Sequence, residues 1–203
     1  MNWESVSFFV TGVIIPIGVA LIKNKIENSK NKKEDKLTRE VKVSGLINHK
    51  LEDIKNKFHA DRVWVLQFHN GGHYYPTGKS IQKFSMFYEN VSNSVDSIKM
   101  LFQNIPVSLF SHSVNKILED NILSIADFKD EKEQTYGLRH TAEETGCKSV
   151  YIAGIRDINN KLIGSLGIEY TKRKKSLDLE QTQALELEAT QIGGVLHSYL
   201  CEN

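Results

Sequence analysis

The segment from residue 149 to residue 170, "SVYIAGIRDINNKLIGSLGIEY", constrains the fold more than any other part of this sequence. Two runs rich in apolar and β-branched residues, 149–156 and 161–170, flank the pair Asn159-Asn160. Asparagine tolerates positive φ, and two such residues between apolar runs are typical of a tight hairpin turn. The sequence therefore predicts an antiparallel hairpin, and with it a sheet to which both strands belong.

Periodicity predicts the elements around this hairpin. Apolar residues at helical spacing indicate a first helix at residues 37–58 and a last helix at 177–200. The apolar stripe of the first helix is predicted to be Val41, Leu46, Ile47, Leu51, Ile54 and Phe58. Further strands are expected at 62–69, 79–91 and 122–127, two short helical pieces broken at Pro106 within 95–121, and a short helix at 136–145 closed by Gly146.

This order of elements, with the hairpin motif D-x-N-N-K-L-I-G-S-L at residues 157–166, resembles that of a GAF domain over residues 37–200. PAS-like and roadblock-like sensor folds share parts of the pattern. The resemblance implies an α+β fold in which an antiparallel sheet carries a ligand pocket on one face. It also implies that the first and last helices pack on the other face and form a homodimer.

The resemblance does not identify a cofactor. Cys147 directly precedes a strand, so it does not match the chromophore cysteine of phytochromes. The segment "FKDEKE" at residues 128–133 resembles the signature of GAF domains that bind cyclic nucleotides only superficially, so a cyclic nucleotide is not implied. The ligand therefore stays unknown at this point.

An uncharged apolar run, "SVSFFVTGVIIPIGVALI", occupies residues 5–22. At ~1.5 Å per residue a helix of this length spans roughly 27 Å, close to the thickness of a hydrocarbon core. A cleaved signal peptide would begin with positive residues and end at a small-residue cleavage site, and a buried helix is seldom apolar on every face. We therefore predict a transmembrane anchor at residues 1–22.

The segment that follows this run is basic. Residues 23–36, "KNKIENSKNKKEDK", contain six lysines and three acidic residues. Positive residues beside a span stay on the cytoplasmic side, so we expect a juxtamembrane linker at 23–36 and a cytoplasmic GAF-like domain at 37–203. The predicted location is a single-pass membrane protein.

The segment "VLQFHNGGHYYPTGKSIQKF" at residues 65–84 ends like a phosphate-binding loop, in Gly78-Lys79-Ser80. The motif needs a glycine five residues before Gly78, where this chain has His73, and it needs a helix afterwards. Its amides would therefore not form a phosphate cradle, and a nucleotide site is disfavoured.

The same segment offers His69 and His73 as metal ligands. The two glycines between them disfavour the helix that would bring both imidazoles to one face, and no cysteine or acidic residue lies near. A turn at Asn70-Gly71-Gly72 between two strands is favoured, and no metal site is predicted.

Within a GAF-like fold these strands and loops would surround the pocket. Phe68 and Phe84 would line it, loop residues would offer stacking and hydrogen bonds, and Arg139 would hold a carboxylate or phosphate. The candidate ligand-binding residues are Phe68, His69, Asn70, Tyr74, Tyr75, Phe84, Tyr136 and Arg139. Each also fits an ordinary structural role in the core or on the surface.

Composition narrows the function. The formal net charge of +1 gives no field that recruits nucleic acid, and no nucleophile with its base is recognisable, so no catalytic residue and no enzyme are predicted. The leading interpretation is a membrane-anchored sensory or regulatory module that binds a small molecule or a protein. The alternative is a scaffold protein, for example one encoded by a phage or mobile element, with a GAF-like fold and no ligand. An enzyme that uses His69 and His73 is the least favoured.

Overall fold

The structure, a computed structural model, describes residues 35–201. The fold described below is that of the compact unit that begins at Val41. The predicted anchor at residues 1–22 lies outside the described residues, as does nearly all of the predicted linker. Within residues 35–201, no helix combines the length and the hydropathy that a membrane span requires.

The described residues form one sheet with helices on both faces. In chain order the elements are α1 (Lys36–Phe58), β1 (Arg62–His73), β2 (Ser80–Val91), β3 (Ile105–Pro106), α2 (Ser111–Asp120), β4 (Ile122–Ile125), α3 (Arg139–Thr145), β5 (Ser149–Arg156), β6 (Leu162–Tyr170) and α4 (Leu179–Cys201), with 3-10 turns at Lys99–Leu101 and Val107–Phe110. The strand order is β3-β2-β1-β6-β5-β4, and every neighbouring pair is antiparallel. The predicted α+β class with an antiparallel sheet is confirmed.

The predicted hairpin is β5 and β6. Asp157 closes its turn, because its Oδ1 accepts the backbone N–H groups of Asn159 and Lys161, both at 2.9 Å. Asn160 adopts φ 62°, the left-handed conformation that asparagine tolerates. The chemistry of this turn thus sets how β5 and β6 pair.

The predicted turn at Asn70-Gly71-Gly72 is wrong. Strand β1 continues to His73, and pairing to β2 resumes there after an irregularity that follows Asn70. Gly72 has φ 77°, which suits a bulge within the strand. The chain reverses later, where the N–H of Tyr74 donates to Lys79 O and the N–H of Gly78 donates to Tyr74 O, both at 2.8 Å.

Pro106 is not a break between two helices, as the sequence suggested. It lies in the two-residue edge strand β3, opposite Lys83 of β2. Proline has no N–H to donate and is therefore found at sheet edges. Only one α-helix, α2, follows it before β4.

One face of the sheet packs against α1 and α4. The buried face of α1 consists of Val43, Ile47, Leu51, Ile54 and Phe58. The prediction of Val41 and Leu46 in this stripe is wrong, since both side chains are 63% exposed. At about 100° per residue they lie off the face that Ile47, Leu51 and Ile54 share.

Glu188 on α4 joins the two helices electrostatically. Its carboxylate lies 2.6 Å from Nζ of Lys50 and 2.7 Å from Nζ of Lys57, both on α1. Burial would raise the pKa of Glu188, but the hydrogen bonds from Lys50 and Lys57 together outweigh it and hold the pKa below its ordinary value. A lowered pKa stabilises the folded state wherever the carboxyl of the unfolded chain is ionised.

Replacing Glu188 with glutamine is expected to lower the free energy of unfolding by about 1–2 kcal/mol near neutral pH. Because the pKa of Glu188 is lowered, this contribution is present above the ordinary value of 4.5 and fades as the pH falls below it. Urea unfolding at pH 7 and at pH 3 should show the gap between the two proteins closing. The exposed Glu52→Gln variant is the control, and an equal gap at both pH values would contradict the assignment.

Candidate functional site

The second face of the sheet carries a pocket. Alternate residues of β1 and β2 point into it, and α2, α3 and the segments around them cover it. Its cavity volume is about 80 Å³. The sheet contributes Trp64, Leu66, Phe68, Phe84, Met86, Val150, Ile152, Ser165 and Glu169 to its lining.

Aromatic rings form one side of the pocket. The rings of Phe68 and Phe84 lie 6.5 Å apart in a T-shaped arrangement, and those of Phe84 and Phe110 lie 5.4 Å apart. Phe102 continues the cluster, 6.3 Å from Phe110. All four line the pocket, which presents ring faces and edges to anything bound there.

Glu169 of β6 is the charged residue of the lining, and its side chain is buried. Its Oε1 accepts a hydrogen bond of 2.7 Å from Nε1 of Trp64, and its Oε2 accepts one from Nη1 of Arg62. Arg62 and Glu169 are directly opposite across β1 and β6. Two neighbouring strands therefore hold this carboxylate in one orientation at the pocket.

Arg62 also faces a second carboxylate. Its Nε lies 3.6 Å from Oε1 of Glu89 on β2, and its Nη2 donates to the backbone oxygen of Asp96 at 2.9 Å. Glu89 in turn accepts the backbone N–H groups of Ile98 and Lys99 at 2.9 and 3.2 Å. The buried guanidinium thus lies between the two carboxylates and fixes the segment that follows β2.

The approach of Trp64 to Glu169 depends on Gly167. Trp64 and Gly167 are cross-strand partners, and the indole lies against the glycine. A Cβ on Gly167 would lie 2.1 Å from Cζ2 of Trp64, which no side chain tolerates. The missing side chain at residue 167 is what lets the indole reach the carboxylate.

Cys147 lines the pocket as a thiol. Its Sγ donates to the backbone oxygen of Ser149 at 3.2 Å. Burial, and then the charge of Glu169, raise the pKa of the Cys147 thiol far above its ordinary value. Because the thiolate is the nucleophilic form, this environment makes the residue unreactive.

Two of the eight predicted ligand-binding residues, Phe68 and Phe84, line the pocket. His69 lies outside the lining, with Nε2 2.9 Å from Oγ of Ser85, and Asn70 accepts a hydrogen bond from Gln82. Tyr74 and Tyr75 are 49% and 97% exposed, at the reversal between β1 and β2.

Tyr136 and Arg139 lie beside the pocket and outside its lining. Ser113, which does line it, donates to the backbone oxygen of Tyr136 at 2.7 Å. Arg139 donates from Nη1 to the backbone oxygen of Phe128 at 2.5 Å and from Nη2 to that of Asp130 at 3.2 Å. Its guanidinium holds the segment before α3, and thereby places the ring of Phe128 in the pocket lining.

Sequence reasoning missed Glu169, Trp64 and Ser165. The available signal was the single acidic residue in the apolar run "GSLGIEY", together with the even spacing of Ser165, Gly167 and Glu169, which predicts one face of a strand. Within residues 35–201, no three His, Cys, Asp or Glu side chains come together in a way that could hold a metal ion.

Comparison with known proteins gives the class of fold. No protein-family model and no curated protein matches the chain. Solved structures do. The blue-light-absorbing form of the Thermosynechococcus elongatus PixJ GAF domain is 13% identical, with a TM-score of 0.63 over 80% of this chain and 89% of that one.

Two further structures agree. The photoproduct state of a GAF3 domain from Synechocystis is 15% identical, with a TM-score of 0.61 over 78% of this chain and 95% of that one. A phycocyanobilin-bound GAF domain from a cyanobacterial phytochrome is 15% identical, with a TM-score of 0.61 over 77% and 85%. The chain therefore has the GAF fold.

Proposed function

We propose that this protein is a non-catalytic sensory or regulatory module that binds a small, largely apolar molecule in the pocket between the sheet, α2 and α3. The observation that carries the proposal is the pocket itself, which the protein's own side chains leave open. Its cavity volume of about 80 Å³ favours a small occupant.

The chemistry of the lining supports this proposal. Apart from Glu169, the lining consists of apolar and aromatic side chains, hydroxyl groups and the protonated thiol of Cys147. An apolar ligand binds such a surface favourably because both are removed from water. The lining offers no activated nucleophile. Among the structural neighbours, one is described with phycocyanobilin bound and another as a photoreceptor, which is consistent with a small-molecule ligand in a protein of this fold.

Filling the pocket tests the proposal. The neutral fluorescent probe N-phenyl-1-naphthylamine is expected to bind the full chain saturably, and Thr141→Phe, on the lining of α3, to weaken binding by about tenfold or more. Glu143→Phe is the matched control, because it adds the same ring to the exposed face of the same helix. Fluorescence titration measures all three proteins.

Two outcomes would contradict it. Either the wild-type chain shows no saturable binding, or the Thr141→Phe protein binds the probe as tightly as the Glu143→Phe protein does. Both would favour the alternative, a scaffold protein in which the fold serves protein contacts without a ligand.

The proposal has two finer parts that come from the sequence. Residues 5–22 would anchor the module in a membrane with its domain in the cytoplasm, and α1 and α4 would form a homodimer. The outward faces of these helices expose Val41, Leu46 and Leu187, the last at 56%. Retention of the protein in membranes after alkaline extraction would support the anchor. A protein mass of twice 23.1 kDa, measured in detergent by light scattering, would support the homodimer.

A further inference from the structure

We propose that the ligand carries a cationic nitrogen, and that Glu169 is the group that receives it. This inference rests on the proposed function, since it assigns the chemistry of that pocket's occupant. The expected class is a small aromatic or alkyl amine, with its apolar body against the phenylalanine rings and its ammonium group at Glu169.

The charges behind the pocket carry the first part of the argument. The buried salt bridges of this region contain one guanidinium, Arg62, and two carboxylates, Glu169 and Glu89. The cluster has a formal charge of −1, and buried charges are stable only when they are paired. A cation supplied from the pocket would complete the pairing.

Hydrogen-bonding capacity carries the second part. A carboxylate has about four acceptor positions on its two oxygens; Glu169 uses one for Trp64 and one for Arg62, and the thiol of Cys147 also lies close to it. Because Glu169 lines the pocket, its remaining acceptor positions are available to a bound molecule. Glu89 differs, because it accepts from Ser97, Ile98 and Lys99 and does not line the pocket.

A second polar group lies beside Glu169 in the pocket lining. Ser165 lines the pocket on the same face of β6 as Glu169 and is 4% exposed. Its hydroxyl is a second group in the lining to which an occupant with polar atoms would hydrogen-bond.

A matched pair of probes tests the inference on the full chain. Phenethylamine and 2-phenylethanol have the same ring and linker. The first carries an ammonium group at neutral pH, and the second carries a hydroxyl group in its place. Wild-type protein is expected to bind the amine about tenfold more tightly than the alcohol, since charge-assisted hydrogen bonds are the stronger ones. The preference should vanish in Glu169→Gln and persist in Glu143→Gln, which removes one carboxylate from the outer face of α3.

Thr141→Phe keeps the test decisive if Glu169→Gln does not fold, because it blocks the pocket and leaves the carboxylate cluster intact. The preference for the amine should vanish in it too. Equal binding of both probes to the wild-type chain would overturn the charge assignment and leave the proposed function standing. A preference that survives in Glu169→Gln or in Thr141→Phe would also overturn it. Binding of neither probe would overturn the charge assignment, while the naphthylamine titration decides the proposed function.

Discussion

Replacing Gly167 with alanine is expected to destabilise the protein by about 3 kcal/mol and to separate Trp64 from Glu169. The added Cβ would lie 2.1–2.4 Å from three indole atoms, so the ring must move. Overpacking of this kind costs about 1–3 kcal/mol, and the lost hydrogen bond to a buried carboxylate adds a similar amount. Gly167 does not have positive φ, so the cost is steric and does not come from backbone strain.

Urea unfolding and the emission of Trp64 measure the two effects. Trp3→Phe serves as the background, because the chain has two tryptophans. The emission of Trp64 should shift to the red as the indole leaves its buried place. Gly45→Ala is the control, since nothing lies within 4 Å of its Cβ and alanine favours the helix. A Gly167→Ala protein with native stability and unchanged emission would contradict the described packing.

Replacing Arg62 with methionine is expected to cost about 3–5 kcal/mol, a large share of the stability of a domain of this size. Methionine fills much of the same volume but leaves Glu169 and Glu89 buried with no cation between them. It also leaves the backbone oxygen of Asp96 without its donor. Thermal unfolding followed by circular dichroism should show a midpoint well below that of the wild type.

A double-mutant cycle separates charge from packing. If the loss comes from an uncompensated carboxylate, the pair Arg62→Met and Glu169→Gln should be less destabilised than the sum of the two single variants. Arg173→Met, at an exposed position, should change stability by no more than about 0.5 kcal/mol. Strict additivity of the two single variants would show that Arg62 acts through packing alone.

Local chemistry explains what the sequence predicted correctly. The hairpin is encoded within about twenty residues, by apolar runs on both sides of an asparagine pair and by the Asp157 carboxylate that closes the turn. Helix α3 ends at Gly146 because that residue has φ 68° and its N–H donates to the backbone oxygen of Ala142. Features of this kind need only neighbouring residues, so a single sequence reveals them.

The site depends on pairings that neighbouring residues do not encode. Arg62 and Glu169 are separated by 107 positions, and they meet because β6 inserts beside β1 in the sheet. The positions of Tyr74 and Tyr75, which the sequence offered as ligand contacts from a loop, depend on strand pairing as well. The bulge after Asn70 lets β1 continue to His73, so the reversal that contains Tyr74 and Tyr75 lies farther along the hairpin. The sequence predicted the turn at Asn70-Gly71-Gly72, which lies within the bulged end of β1 in the structure.

Successive side chains of β1 point to opposite faces of the sheet, so a single layer of backbone separates the helix-covered core from the pocket. Val63 and Val65 belong to the core beneath α1 and α4, while Trp64, between them in the chain, belongs to the pocket side. Adjacent peptide units of a single strand thus serve both compartments. Bending of this strand at Trp64 would also move Val63 and Val65, so the shape of the pocket and the packing of the helix layer depend on the same stretch of backbone.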